Sequence, residues 1–451
     1  MNESAWEELG HGPWSAEKAV PQQVPDEATR NLLRLPPTLR PVTGEAVVQR
    51  AVFDPSAVHY ANAMRLGNPQ FADPATGERW YAARRRALDL ALAAVADSPW
   101  AVHLVLRGSV LLRAWYGAAA REPGDLDFVV EPADWQLADE RTERMLEQLA
   151  RHADLLSRRA DGDVRLDSRG AVHDEIWTYD RVPGRRLVVP WTAEGLPGGA
   201  VQLDFVFNEP LPAPAVTTPI PRPAGAPGGG ATLELRAASR ELSLAWKILW
   251  LASDMHPEAK DLYDAVLLAE DEQVSLPYEL LRAVFRGVDH GYFDRNPLLL
   301  DWFGAEVSEH TDWSEFAKEY PHLDIPGADC GQRLVEALRP TFALDDDGSG
   351  EPARYQAFAR WLAPLTAECR TAFAAGGLPA VLELLFSQYV PPGSALVVAR
   401  EVLGRDQHAL AGLVPQLAAF RPVSLEAGPR GRRWEEQELT EAAEMLAKAG
   451  G

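Results

Sequence analysis

The feature that most constrains this chain is a change of periodicity across residues 209–230, a stretch crowded with Pro, Gly and Ala. Before it, short apolar segments at 164–167, 173–179, 187–189 and 201–207 have the length and flanking turns of β-strands. Beyond it, the apolar residues recur at helical spacing in long segments: 239–253, 259–269, 276–286, 355–375, 378–389, 410–420 and 434–448. A two-residue period giving way to one of 3.6 predicts an α+β chain, with a mixed sheet and flanking helices followed by a mostly α-helical C-terminal domain. At 451 residues, more than one core is expected. The boundaries read as an irregular N-terminal extension over 1–75, a sheet domain over 76–235 and a helical domain over 236–451. Residues 209–230 are expected to be a linker or flexible loop, and Asp161-Gly162 and Pro183-Gly184 hairpin turns.

Charge and cysteine content narrow the function. A formal net charge of -22 opposes a broad footprint on polyanions, so binding to long DNA is not expected. The basic clusters Arg84-Arg85-Arg86, Arg158-Arg159, Arg185-Arg186 and Arg430 to Arg433 read as solvated faces, although a focused anionic site can oppose the global charge. Cys330 and Cys369, the only two cysteines, form no disulfide framework or zinc pattern. Residues 1–10 are acidic, and no run approaches the ~20 apolar residues of a membrane span. The expectation is a cytoplasmic protein without a membrane partner.

The chemistry concentrates in the sheet domain. A helix is expected from the Asp73-Pro74 turn through Trp80 to Ala96, then a short apolar strand at 103–106 that stops at Arg107-Gly108-Ser109. A helix over 110–116 follows, closed by Gly117. Backbone N–H groups at that strand-to-helix turn favour a phosphate, Gly108 permits close approach, and Ser109 can donate another hydrogen bond. The strand Asp125-Leu126-Asp127-Phe128-Val129-Val130 projects both carboxylates from one face. Two such acids repel unless a cation lies between them, and hard oxygen ligands suit Mg²⁺ or Mn²⁺. A helix over 135–157 separates this strand from the later ones. Among those, Asp204 is the lone charge in 201–207, facing away from Leu203, Phe205 and Phe207. It could complete the metal site or act as a base.

Beyond the linker, Lys247 is the only charge in the run 242–252, and a buried ammonium requires an anion. A nucleotide phosphate would serve. Asp261 and Asp264, three apart on one helix face, could position an acceptor or pair with Lys247. The run Asp345-Asp346-Asp347 beside Gly348 reads as an acidic loop, and His103, His173 and His256 show no metal-ligand spacing.

The order Gly-Ser, helix, Asp-x-Asp and a later strand Asp resembles the polymerase-β-like nucleotidyltransferase superfamily. The segment 104–112 with Tyr116, Arg121 and Asp125-Leu126-Asp127-Phe128 is similar to the first motif of AbiEii-type toxins of type IV toxin–antitoxin and abortive-infection systems. The Lys247 helix and Lys260-Asp261-Leu262-Tyr263-Asp264 are similar to that family's later motifs. Two departures stand out, a long gap between Ser109 and Asp125, and Glu258 where a basic residue is common.

The resemblance implies a metal-dependent transfer of NMP from an NTP to a hydroxyl of a tRNA 3′ end or a protein, and a cognate antitoxin as partner. It implies Asp125, Asp127 and Asp204 as metal ligands. These three and Asp261 would be catalytic, and Gly108, Ser109, Lys247 and Arg121 would hold the nucleotide. The rival readings are a small-molecule, antibiotic-type nucleotidyltransferase and a non-catalytic nucleotide-sensing module on the same fold.

Overall fold

The computed structural model describes residues 5–448 except 13, 16–17, 58, 179–181, 225, 227–229, 255–256, 312, 314–315, 317–318, 321–322, 324–326, 345–349 and 422–432. Asp345-Asp346-Asp347, His256 and Arg430-Gly431-Arg432 therefore lie outside the described residues. The chain divides into two compact units, Met1–Leu268 with Thr311–Gly327, and Ala269–His310 with Ala328–Gly451. The division falls after Leu268, not at the Pro/Gly-rich stretch, so Lys247 and Asp261 belong to the same unit as the sheet.

The first unit opens with two short helices, α1 (Ala5–Leu9) and α2 (Glu27–Leu33), then four short strands. These are β1 (Val47–Val48), β2 (Ala51–Phe53), β3 (Met64–Leu66) and β4 (Gln70–Phe71), with β1 antiparallel to β4 and β2 to β3. Trp6, Leu9, Val20, Leu35, Leu39, Ala51 and Met64 bury together, so this extension carries a small core of its own. The long α3 (Pro74–Ala96) follows, with Asp73 accepting from the Ala75 and Thr76 amides as N-cap and Pro74 in the first turn.

The central sheet contains β5 (Leu104–Arg107), β6 (Asp125–Val130), β7 (Arg165–Leu166), β8 (Val172–Thr178), β9 (Val182–Thr192), β10 (Gly199–Val206), β11 (Val216–Pro221) and β12 (Thr232–Ala237). The strand order is β11-β12-β5-β6-β10-β9-β7, with β8 also on β9; β6–β10 and β12–β5 are parallel and the other pairs antiparallel. Helix α4 (Ser109–Tyr116) connects β5 towards β6, and α5 (Glu140–Arg159) connects β6 towards β7. Leu126 and Phe128 are fully buried, with Phe128 stacked on Phe205 of β10 at 5.5 Å. That apolar face, packed under α3, leaves the other face of β6 for polar residues.

Two expectations about this region are corrected. Residues 216–221 are not linker but the edge strand β11, paired along β12 from Val216–Ala237 to Pro221–Thr232. An edge position tolerates Pro219 and Pro221, which lack the amide a central strand needs, while Thr218 and Ile220 turn inward. Pro183-Gly184 is likewise no turn but part of β9. A Cβ on Gly184 would meet Ile176 at 2.8 Å and the Phe205 carbonyl at 3.0 Å, so this glycine serves close strand packing.

Helices α6 (Arg240–Ser253) and α7 (Ala259–Ala269) follow the sheet. Ser239 caps α6 by accepting from the Leu242 amide, and every residue from Leu242 to Leu251 is buried. Phe316 and Tyr320 pack on Ala259 and Tyr263 of α7.

The second unit is helical, as the periodicity predicts, but its helices differ in detail. Ala353–Trp361 ends before Ala363–Ser387, which runs on through a break at Gly376 and Gly377 (φ 65°). Leu300–His310, Gly327–Phe342 and Pro392–Leu403 are helices that the apolar spacing did not predict. Against the expectation that no run has the length and apolarity to span a membrane, Ala363–Ser387 meets that measure. Its two glycines divide it into shorter pieces.

Candidate active site

Register across the sheet assembles the site. Arg107 pairs with Asp127, Asp127 with Asp204, and Asp204 with Arg186, so β5, β6, β10 and β9 contribute one row, Arg–Asp–Asp–Arg. Asp125 lies two residues before Asp127, opposite Gln202. One oxygen from each of Asp125, Asp127 and Asp204 falls within 4.8 Å of the others. Like charges that close raise one another's pKa unless a cation intervenes. Burial first, then Asp125 and Asp204, push the Asp127 carboxyl up to about 8 against the pull of Arg107 and Lys247. Burial also raises Asp204, although Arg186 draws it back.

The ends of the row are pinned by residues the sequence reading did not single out. Arg186 is buried, not the solvated surface residue expected from the Arg185-Arg186 pair. Its Nε and Nη2 donate to the two Asp204 oxygens at 3.0 and 2.9 Å, and its Nη1 donates to Asp54 at 2.7 Å. Burial alone would raise Asp54, but the Arg186 guanidinium holds it well below the usual carboxylate range. Arg107, at the other end, donates to Glu209 at 2.8 Å beneath the rings of Trp246 and Trp250. Only its place beside Gly108 could have signalled Arg107; nothing local marks Asp54.

Gly108 and Ser109 sit where expected, between β5 and α4. Gly108 has φ 83°, and a Cβ there would collide with the Asp127 carboxylate, so both its conformation and its neighbour require glycine. Ser109 is 1 % exposed, and its hydroxyl has no partner among the described residues.

Lys247, Asp261 and Arg121 form a second cluster. Lys247 Nζ lies 2.6 Å from Asp261 and 2.9 Å from Asp264, and 4.9 Å from the Trp250 ring centroid. Burial would lower the Lys247 pKa, but the two carboxylates raise it. Asp261 is held low by Lys247 and Lys260 despite its burial. Arg121 donates to both oxygens of the fully buried Asp264, at 2.9 and 3.1 Å, and to Tyr320 at 3.4 Å. The anion that Lys247 requires is thus supplied by the protein itself. The departures from the family pattern resolve here too. The long stretch after Ser109 brings Arg121 to α7, and Glu258 pairs with Lys260 at 2.7 Å and Arg65 at 3.9 Å.

Both clusters line one cavity of about 280 Å³, with Asp125, Asp127, Asp204, Lys247, Arg121 and Asp261 on its wall. Residues 38–69 form part of that wall. Although the chain carries -22, eight lining residues are Arg or Lys and six are Asp or Glu. A negative ligand is compatible with that balance.

A family model described as nucleotidyl transferase AbiEii toxin, type IV TA system, matches residues 90–343. No curated protein matches. Among solved structures, MenT4, a nucleotidyltransferase toxin from Mycobacterium tuberculosis H37Rv, is similar at 19 % identity and a TM-score of 0.39, over 63 % of this chain and 88 % of that one. The matched span holds the Gly108-Ser109 turn, all three clustered carboxylates and the Lys247–Asp261 pair, and the chain belongs to the AbiEii family of nucleotidyltransferase toxins of type IV toxin–antitoxin systems.

Proposed function

We propose that this enzyme transfers NMP from an NTP to a hydroxyl of a macromolecular acceptor, a tRNA 3′ end or a protein. The observation that carries the reading is the meeting of three carboxylates, oxygens within 4.8 Å, against a turn where Gly108 leaves no room for a side chain beside Asp127. Hard carboxylate oxygens with a neighbour-raised pKa fit a divalent cation, and Asp125, Asp127 and Asp204 would hold Mg²⁺ or Mn²⁺. Such a cation supplies positive charge to the phosphoryl oxygens and lets all three carboxylates stay ionised together.

The chain's own groups do the rest. Ser109 Oγ, unpartnered among the described residues, and the amides opening α4 receive the triphosphate. Lys247 has three N–H donors; Asp261 and Asp264 engage two, leaving one for a phosphate oxygen. The acceptor oxygen attacks the α-phosphorus, the bond to the β-bridging oxygen breaks, and pyrophosphate leaves with that electron pair. The acceptor proton passes to Asp204, which Arg186 holds in place at the edge of the cluster. Asp261 acts by fixing Lys247. A cognate antitoxin is the expected partner, as the family implies.

The test is incubation with each labelled NTP and Mg²⁺ against total tRNA, a protein mixture and small hydroxylated compounds. Label on tRNA or protein with pyrophosphate released is expected. Label only on small molecules would replace the acceptor class, and no release from any NTP would remove the reaction.

A further inference from the structure

Arg40 and Arg84 line the same cavity as the carboxylates, yet both precede the span that the family model matches, 90–343. The other cations on the wall each have a carboxylate within 4 Å: Arg107 has Glu209, Arg121 Asp264, Arg186 Asp204, Lys247 Asp261, and Arg65 and Lys260 share Glu258. Among the described residues, Arg40 and Arg84 have none. Arg84 is 5 % exposed; it donates to Asn68 Oδ1 at 2.9 Å and the Pro123 carbonyl at 3.2 Å, and its Nε has no partner. Its guanidinium rests over the rings of Trp80 and Tyr81. Arg40, half-buried, uses one nitrogen, Nη1, on the carbonyls of Pro37 and Leu39, both at 3.2 Å.

Removing guanidinium charge from water without a counter-anion is costly. A chain with 66 acidic residues could readily supply a carboxylate, and here it does not. The Arg84–Pro123 bond also ties this positive charge to the loop entering β6, two residues before Asp125. We propose that the wall supplied by residues outside the family span is a subsite that receives phosphate brought by substrate, with Arg40 and Arg84 as its two cations that have no carboxylate partner. The planar fork of Arg40 supplies hydrogen bonds, and Arg84, fixed by its own, supplies positive charge to the cavity. The choice of phosphate rests on the nucleotidyl-transfer reading. The two sources are the triphosphate of the nucleotide and a phosphodiester of an RNA acceptor.

Calorimetric titration of the full chain separates them, using inorganic tripolyphosphate and a single-stranded RNA oligonucleotide as probes. Arg40→Gln should lose roughly tenfold to a hundredfold in affinity for at least one probe, with Arg40→Lys intermediate and the melting temperature unchanged. A loss for tripolyphosphate assigns the subsite to the nucleotide, and a loss confined to RNA assigns it to the acceptor. Unchanged affinity for both, or no binding of either by the native chain, overturns the subsite. Binding is read without turnover, so a chain that binds through Arg40 but transfers no nucleotide keeps the subsite and loses the reaction.

Discussion

Two charge clusters share one cavity and are balanced in opposite ways. On α6 and α7, Lys247 and Arg121 meet Asp261 and Asp264, two cations against two carboxylates. On the sheet, Asp125, Asp127 and Asp204 crowd together, while the flanking Arg107 and Arg186 spend hydrogen bonds on Glu209 and Asp54 as well. The first cluster is balanced in charge within the protein, with one Lys247 donor to spare. The second holds more negative charge than its neighbours neutralise, and burial together with that shortfall raises the Asp127 pKa. Neutral clusters hold a fold together; an unbalanced one marks where a ligand must supply charge.

The largest effect should come from emptying the unbalanced cluster. Asp127→Ala should reduce nucleotide transfer by roughly 10³-fold or more with the fold intact, read as pyrophosphate release alongside circular dichroism. Transfer at the native rate would strip the sheet cluster of its catalytic part. The balanced cluster should also respond in stability. Lys247→Met strands the buried Asp261 and leaves Asp264 to Arg121 alone, and should lower the first unit's stability by about 3–5 kcal/mol, measured by urea unfolding. A loss below about 1 kcal/mol would show that Asp261 and Asp264 do not depend on Lys247.

The smallest effect is the most diagnostic. In metal-free protein, the Asp127 pKa is near 8 folded against an ordinary value of 3.8. The folded state therefore binds the proton more tightly, and that stability is present below pH 4 and lost as pH rises towards 8. Asp127→Asn removes the titration. It should leave stability unchanged near pH 4 and raise it by about 1–2 kcal/mol near pH 8, a figure trimmed for the cavity's solvent. Thermal melts across that range check it; a gain that is flat with pH would mean that neither burial nor the neighbouring carboxylates raise the Asp127 pKa.

What was legible in the sequence follows from what is local. Strand alternation put Asp125 and Asp127 on one face and isolated Asp204, and the apolar run around Lys247 announced that it needed an anion. Which anion it met was a matter of tertiary structure. Arg185 and Arg186 look alike in sequence, yet Arg186 closes the charge row through register with Asp204. Residues 209–230 read as linker by composition because Pro at a sheet edge breaks no hydrogen bond, and composition cannot distinguish an edge from a loop. The part played by residues 38–69 in the cavity wall had no local signal, because packing alone makes it.

Arg186 shows what that last point entails. It divides its guanidinium between Asp204, inside the span shared with the family, and Asp54 with Ser56, outside it. A fragment trimmed to the shared span would carry every carboxylate of the centre but would lose two of the groups that tether Arg186. The arginine's whole attraction would then fall on Asp204, drawing down the pKa of the proposed base. The stretch of chain that defines the family and the stretch that tethers Arg186 from its other side are therefore different, and the boundary between them passes through a single side chain.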